Sequence, residues 1–372
     1  MTSLASRSSR PTLALVGATG AVGQVTRQVL AMRADIWGEV RAAAAVEDAG
    51  AVIDVIGRDV VVQELTPEFF DGVDIALVDL PAPVAAQWAP VAADRGAVVI
   101  DNSSALRGDP DVPLVVPEVN PAQVRHRPKG IIANPGATTL TMVGALSALH
   151  SEWELTELVV SSYQAASGAG RVGMARLYDE LEVVAGHREL GHQPGDVRRL
   201  IEHELGSDSP FPAPLALNVV PWIGRAAEDG WTTEELKIRN ETRKVLGLPG
   251  LRVAATCVRV PVVTTHSVSV HATFARPVDV DRARQALVEA PAVVVLDDPD
   301  ALEFPTPSDT VGSDPRFAGR LRQARDFPHT LDFFICGDNL RKGAALNMVQ
   351  VAELVAQDLA VVARDASGAR TP

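Results

Sequence analysis

Gly17-x-x-Gly20-x-x-Gly23 is the first group of residues along the chain whose types and spacing point to a specific chemistry. Glycines at this spacing permit a tight turn and let the backbone N–H groups of a helix N-terminus close on a pyrophosphate, whose charge the helix dipole favours. A strand-to-helix turn that needs glycine for sterics alone would show the same spacing. Here the motif follows an apolar run at 12–16 and precedes a helix-like stretch at 24–32, the order of a dinucleotide cradle. Gly17, Thr19, Gly20, Ala21, Val22 and Gly23 are therefore the expected cofactor contacts. Glu47 closes the next apolar run, 40–46, where a carboxylate can accept hydrogen bonds from both ribose hydroxyls of NAD and would repel the extra phosphate of NADP. A solvated acidic loop is the alternative reading of the same residue.

Other reactive side chains are sparse. The two cysteines, Cys257 and Cys336, lie in apolar, strand-like runs with no CxxC partner and no histidine at ligand spacing, so they read as buried free thiols and no metal site is expected. Of the eight histidines, His126, His150, His187, His192, His203, His271 and His329 read as structural or surface groups. A formal charge of −13 argues against nucleic acid or an acidic membrane surface as partner. No apolar run approaches the ~20 residues of a bilayer span, and the polar opening 1–10 reads as a disordered tail. The expected location is cytoplasmic.

The elements that must hold these residues alternate. Apolar runs at 12–16, 40–46, 75–78 and 97–100, separated by helix-like stretches, predict a parallel sheet wound on both faces. After Pro135 the character changes. Strand-like runs at 159–164 and 256–263, and the alternating 266–274, predict an antiparallel or mixed sheet with one covered face. Between them lie a helical 173–185 and a polar loop through 194–214, and a helix closes the chain at 343–362. At 372 residues there is room for two cores.

Several motifs then carry a resemblance. They are Asp101-Asn102-Ser103-Ser104-Ala105-Leu106-Arg107, Val116-Pro117-Glu118-Val119-Asn120, Tyr163-Gln164-Ala165-Ala166-Ser167-Gly168-Ala169-Gly170, Thr256-Cys257-Val258-Arg259-Val260-Pro261-Val262, Phe304-Pro305-Thr306-Pro307 and Asp338-Asn339-Leu340-Arg341-Lys342-Gly343-Ala344-Ala345-Leu346-Asn347. In this order they resemble the aspartate-semialdehyde dehydrogenases from the first strand to the last helix. The resemblance implies an α/β protein with a Rossmann-like dinucleotide-binding domain (11–134 with 339–372) and a mixed-sheet α/β catalytic and dimerisation domain (135–338), assembled as a homodimer or dimer of dimers. The family reaction is the reversible, NADP-dependent interconversion of aspartate 4-semialdehyde and aspartyl phosphate. By resemblance Arg107 holds phosphate, and Glu234 and Lys237, three apart on one helix face, contact substrate and phosphate. Arg259 grips the substrate carboxylate, for which a two-pronged donor is apt. His266 is the acid/base group, Gln164 positions the thiol and substrate, and Ser103 and Asn339 join the cofactor contacts.

Two departures cut across this pattern. The family writes Asn-Cys ahead of Ser or Thr; this chain writes Gly136-Ala137 ahead of Thr138, so the nucleophile position is Ala137. Alanine cannot form the thiohemiacetal or the thioester, and the neighbouring threonine hydroxyls have no dedicated base legible in the sequence. Cys257 does not substitute, because the family commonly keeps a cysteine there beside the catalytic one. The second departure is Val46-Glu47-Asp48-Ala49-Gly50, where the family commonly has Ala-Arg-Ser-Ala-Gly to hold the 2′-phosphate. These acids disfavour NADP and make NAD the expected cofactor. The leading expectation is an NAD(H)-dependent oxidoreductase that transfers hydride without a covalent intermediate to a small, carboxylate-bearing, amino-acid-derived aldehyde, ketone or imine. A catalytically silent cofactor- or amino-acid-binding regulatory subunit is the first alternative, and non-redox amine–carbonyl chemistry the second.

Overall fold

The computed structural model describes residues 10–366; the tail expected over 1–10 lies, apart from Arg10, outside the described residues. Contacts between Cα atoms divide the chain into two units, one running to Pro135 and resuming at Ala344, the other spanning Gly136–Gly343. The return crossing was expected at Asn339. It falls later because Asn339 belongs to the second unit, where its Oδ1 accepts from the Ser167 hydroxyl at 3.0 Å and the Thr265 N–H at 2.9 Å.

The first unit is built from β1 (Leu13–Val16), α1 (Ala21–Ala31), β2 (Val40–Ala43), β3 (Val52–Val55), β4 (Arg58–Gln63), β5 (Ile75–Val78), α2 (Ala82–Asp94), β6 (Val98–Asp101) and β7 (Ile131–Ala133). Its sheet order is β3-β4-β2-β1-β5-β6-β7. All pairings are parallel except the β3–β4 hairpin at the edge, which the sequence reading missed. Leu13, Leu15, Ile75, Leu77 and Ile100 are fully buried, as strands covered on both faces require. The order turns back at β1, whose neighbours are β2 and β5, so the crevice beyond their carboxyl ends is the ligand position of an open α/β sheet.

The second unit comprises α3 (Ala137–Trp153), β8 (Leu155–Gln164), α4 (Gly170–Val184), α5 (Asp196–Leu205), α6 (Thr233–Leu246), β9 (Arg252–Arg259), β10 (His266–Phe274), α7 (Val280–Glu289), β11 (Val293–Val295), α8 (Pro307–Thr310), β12 (Arg316–Gln323) and β13 (Thr330–Gly337). Its sheet, β11-β12-β13-β10-β8-β9, mixes parallel and antiparallel pairs. Val268, Val270, Ala272 and Phe274 are buried in a core with Met142, Leu146, Ile238 and Leu287, while Val159 and Tyr163 are exposed on the other face. The alternation in 266–274 thus marks a sheet with one face covered by α3, α6 and α7. The loop expected over 194–214 contains α5, whose start is organised by Asp196 Oδ2 accepting the N–H groups of Gly191, His192 and Gln193. Helix α3 escaped the sequence reading because it is apolar on every side, with no stripe to detect; Leu140, Met142, Val143, Leu146 and Leu149 are all fully buried.

The final helix α9 (Leu346–Ala366) follows a π-helical turn at Arg341–Ala345. Contrary to the reading of the apolar runs, the 22-residue stretch Arg341–Val362 is long and apolar enough to cross a membrane by length and composition. In this structure Leu346, Met348, Val349, Val351, Ala352 and Val355 are instead core residues of the first unit, packed with Leu13, Leu15, Ile75, Leu77 and Ile100.

Candidate active site and nucleotide cradle

In the first unit the glycine turn is fixed by its own packing. Gly17 has φ +89°, and a Cβ there would lie 2.1 Å from the Asp79 carbonyl oxygen; a Cβ on Gly23 would lie 2.2 Å from the Gly17 carbonyl oxygen. Sterics therefore require these two glycines whatever the turn binds. Gly20 differs: a Cβ there would meet nothing closer than 3.4 Å. Gly20 caps α1 with no side-chain cap and no acid in the first turn, so α1 presents its N-terminal N–H groups without a side chain over them. That is the arrangement an anion such as a dinucleotide pyrophosphate fits.

The acid expected at the ribose position is displaced by one residue. β2 stops at Ala43, and Glu47 sits exposed in a short 3-10 turn, Val46–Asp48. Asp48 is the residue brought to the cradle, its Oδ2 accepting the Thr19 hydroxyl at 2.6 Å. Of the two acids expected here, Asp48 is the one bonded to the turn, because the 3-10 turn after the strand end decides which side chain points back. Ser103 is buried and engaged locally: its hydroxyl donates to Asp101 Oδ2 at 2.8 Å and accepts the Ala105 N–H at 3.1 Å. Arg107 Nη2 donates to the Asn102 carbonyl oxygen at 2.6 Å.

In the second unit, strand register gathers what sequence separates. Parallel pairing sets Gln164 of β8 opposite Arg259 of β9, and antiparallel pairing of Tyr163 with Ser267 leaves His266 at the start of β10 beside the same end of β8. Gln164, Arg259 and His266 are 2%, 7% and 2% exposed, and buried polar groups of this kind must find partners. Gln164 Nε2 donates to Glu234 Oε1 and Ser162 Oγ, both at 3.2 Å. Glu234 also pairs with Lys237 Nζ at 2.5 Å and accepts from the Thr138 hydroxyl at 3.4 Å. Arg259 Nη1 donates to the Ala165 carbonyl oxygen at 2.7 Å, and its guanidinium lies 5.9 Å from the Phe211 ring centroid. Gly168 leaves the space for it, since a Cβ there would be 2.5 Å from Arg259 Nη1.

Helix α6 supplies the acids. A capping box fixes its start, Glu235 N–H to Thr232 Oγ1 at 3.3 Å and Thr232 N–H to Glu235 Oε2 at 2.7 Å. Glu234, Lys237 and Glu241 then fall on one face by helical periodicity. Glu241, which sequence reasoning did not select, accepts the Gly136 N–H at 2.6 Å and the Thr139 hydroxyl at 3.1 Å. A carboxylate thus tethers the first turn of α3, where Ala137 occupies the first helical position. Ala137 Cβ lies only 3.0 Å from where a Cβ on Gly343 would be, so the glycine is needed beside it.

Two electrostatic facts limit the chemistry. Burial pushes the Cys257 thiol up to about 12 and the Cys336 thiol up to about 11, so neither furnishes a thiolate near neutrality. His266 is depressed to about 3, first by burial and then by the Arg259 charge, with Glu234 opposing. Its Nδ1 accepts the Ala165 N–H at 3.2 Å, and an amide can only donate, so the imidazole proton sits on Nε2. His266 is thus a neutral N–H donor rather than the ready proton source expected from the sequence. A stability effect follows. Below the unfolded value near 6.5 the unfolded chain takes up a proton that folded His266 refuses, so stability is lost as pH falls from 6.5 towards 3 and is unaffected above that window. Urea unfolding at pH 7, 6 and 5 is expected to show a pH slope shallower in His266→Gln than in the parent, by up to about 1.4 kcal/mol per pH unit. Identical slopes would refute the assignment.

Both units have matches among known proteins. Residues 12–127 match the family model described as semialdehyde dehydrogenase, NAD binding domain, and residues 146–342 match semialdehyde dehydrogenase, dimerisation domain. The chain is 44% identical to aspartate-semialdehyde dehydrogenase of Streptomyces akiyoshiensis, over 93% of this chain and 98% of the relative. It is 40% identical to the Bacillus subtilis (strain 168) protein of the same name, over 92% and 96%. Among solved structures, aspartate semialdehyde dehydrogenase II of Vibrio cholerae complexed with ASA superposes with a TM-score of 0.86 at 34% identity, covering 94% of this chain and 99% of that one.

Proposed function

The chain belongs to the aspartate-semialdehyde dehydrogenase family, and on that premise we propose that it is an NAD(H)-dependent oxidoreductase working without a covalent intermediate. The substrate is a small, carboxylate-bearing aldehyde, ketone or imine derived from an amino acid. The observation that carries this reading is the network of buried Gln164 with half-buried Glu234 and Lys237, beside buried Arg259 and His266, around a helix start where Ala137 stands in place of a nucleophile. With the thiols of Cys257 and Cys336 held protonated, the thioester route of the family has no nucleophile, and phosphorylating dehydrogenation is absent.

Gly20 and the start of α1 would hold the dinucleotide pyrophosphate, and Asp48 with Thr19 would face the adenosine ribose. The bound cofactor supplies or accepts hydride. The chain's own residues do the rest. Arg259, a desolvated cation, binds the substrate carboxylate, and Glu234 accepts from an amino or imino group. The His266 Nε2–H bonds the oxygen or nitrogen on which negative charge develops, as a neutral imidazole can. A carboxylate seated on Arg259 cancels the charge that helps depress His266, so substrate binding itself moves the imidazole towards protonation. The match to the dimerisation domain supports a homodimer, and a cytoplasmic metabolic role accords with such a substrate.

The test has two stages. Calorimetric titration is expected to show NADH bound more tightly than NADPH, because Asp48 repels a 2′-phosphate. Absorbance at 340 nm is then expected to fall when folded protein and NADH meet a panel of such carbonyls and imines, with no requirement for phosphate. NADH binding without turnover across the panel would sink the catalytic reading in favour of a cofactor-sensing subunit.

A further inference from the structure

We propose that Asp79 is a specificity-determining residue of the nucleotide cradle, a carboxylate that accepts a hydrogen bond from a donor group of the ligand and excludes bare phosphate anions. The inference rests on the reading of the glycine turn as a dinucleotide site. Asp79 follows β5 and so faces the β1–β5 crevice from the side opposite Asp48. Its backbone carbonyl is the group that forbids a side chain at Gly17, and its Oδ2 lies 3.9 Å from the Cβ position of Gly20. The acid therefore stands at the turn, against the one glycine that internal packing does not require.

What makes Asp79 more than a stray acid is the chain of amides behind it. Asn347 Nδ2 donates to Asn134 Oδ1 at 2.7 Å, Asn134 Nδ2 to Asn102 Oδ1 at 2.8 Å, and Asn102 Nδ2 to Asp79 Oδ1 at 2.7 Å. The Asn347 end fixes the direction of this relay, because Asn347 Nδ2 also donates to the Val115 carbonyl oxygen at 3.0 Å, which can only accept. Asn134 and Asn347 are fully buried, so neither amide turns over without leaving donors unmatched. The relay occupies Oδ1 and leaves Oδ2, which has no hydrogen-bond donor among the described residues, as the atom presented to a ligand.

Groups that complement Oδ2 are donors: ribose hydroxyls or a carboxamide. A phosphate oxygen placed there meets like charge. Burial and the neighbouring Asp101 carboxylate raise the Asp79 pKa, while Asn102 and the Arg107 charge hold it down, so the site is tuned by charges on the β6 side of the crevice as well as by its own strand.

Asp79→Asn separates the two roles. Asn102 still finds an oxygen acceptor, and Oδ2 is replaced by an amide donor. NADH affinity is expected to fall about tenfold and affinity for inorganic pyrophosphate to rise about tenfold, both read by calorimetry. Asp79→Ala, which lacks acceptor and charge alike, is expected to move both affinities in the same opposed directions and guards against a disturbed relay in the first variant. A residue of purely structural importance would weaken both ligands together, and a purely repulsive one would strengthen both; either pattern, or no change, overturns the proposal while leaving the cofactor reading intact. Failure of the parent protein to bind NADH overturns both.

Discussion

Ala137→Cys is expected to confer phosphate-dependent oxidation of aspartate 4-semialdehyde, at least about a thousandfold above the parent chain, whose activity in that assay is expected to be background. The size follows from what the nucleophile does: losing one residue of a covalent catalytic set typically costs ~10³–10⁶ in turnover, and regaining it into an otherwise prepared site returns a large part of that. The site is prepared in the relevant respects. Ala137 is the first residue of α3, a position where the dipole lowers a thiol pKa. Thr138 in the same turn contacts Glu234, which contacts Gln164. Gly136 also departs from the family, so Gly136→Asn combined with Ala137→Cys should exceed the single change. If both variants fold and neither forms a thioester or reduces the cofactor, then the clamps have drifted along with the nucleophile, and the proposed substrate class loses its support.

Arg259→Leu in the Ala137→Cys background is expected to raise KM for aspartate 4-semialdehyde by a hundredfold or more. Truncating one side of a fully desolvated charge pair commonly costs about 2–5 kcal/mol, and here the pair would be formed with the substrate carboxylate. Arg259→Lys should not rescue it, because the two-pronged geometry is lost and a shorter reach to the Ala165 carbonyl oxygen loosens the loop. A second readout separates binding from scaffolding. The Arg259 charge is one of the causes that depress His266, so Arg259→Leu should shift the acid limb of the pH–rate profile upward. An unchanged KM with an unchanged profile would remove Arg259 from the substrate site.

These predictions bear on an old ambiguity of divergent enzymes, whether loss of a nucleophile marks decay or reassignment. Decay would leave buried charges without partners, which is costly. In this chain Glu241, Glu234, Arg259 and Gln164 are all bonded within the second unit, and two acids, Asp48 and Asp79, stand at the nucleotide turn. Those four groups show none of that cost.

The sequence alone determined the family, the α/β plan with its dinucleotide-binding and dimerisation domains, and the alanine at position 137, and it singled out Arg107, Gln164, Glu234, Lys237, Arg259 and His266 as candidates. Those properties are carried by local spacing: a glycine turn after a strand, a helical i,i+3 pair, an ordered series of short motifs. Only the tertiary structure decided which acid meets Thr19, because a 3-10 turn exchanged Glu47 for Asp48. Only strand register brought Gln164, Arg259 and His266 to one end of a sheet, and only burial next to a guanidinium showed that His266 is a neutral donor. Asp79 and Glu241 were invisible for the same reason. Each acts through partners distant along the chain, Gly20 and Asn102 for the one and Gly136 for the other, and such pairings are fixed by packing rather than by any pattern of neighbours.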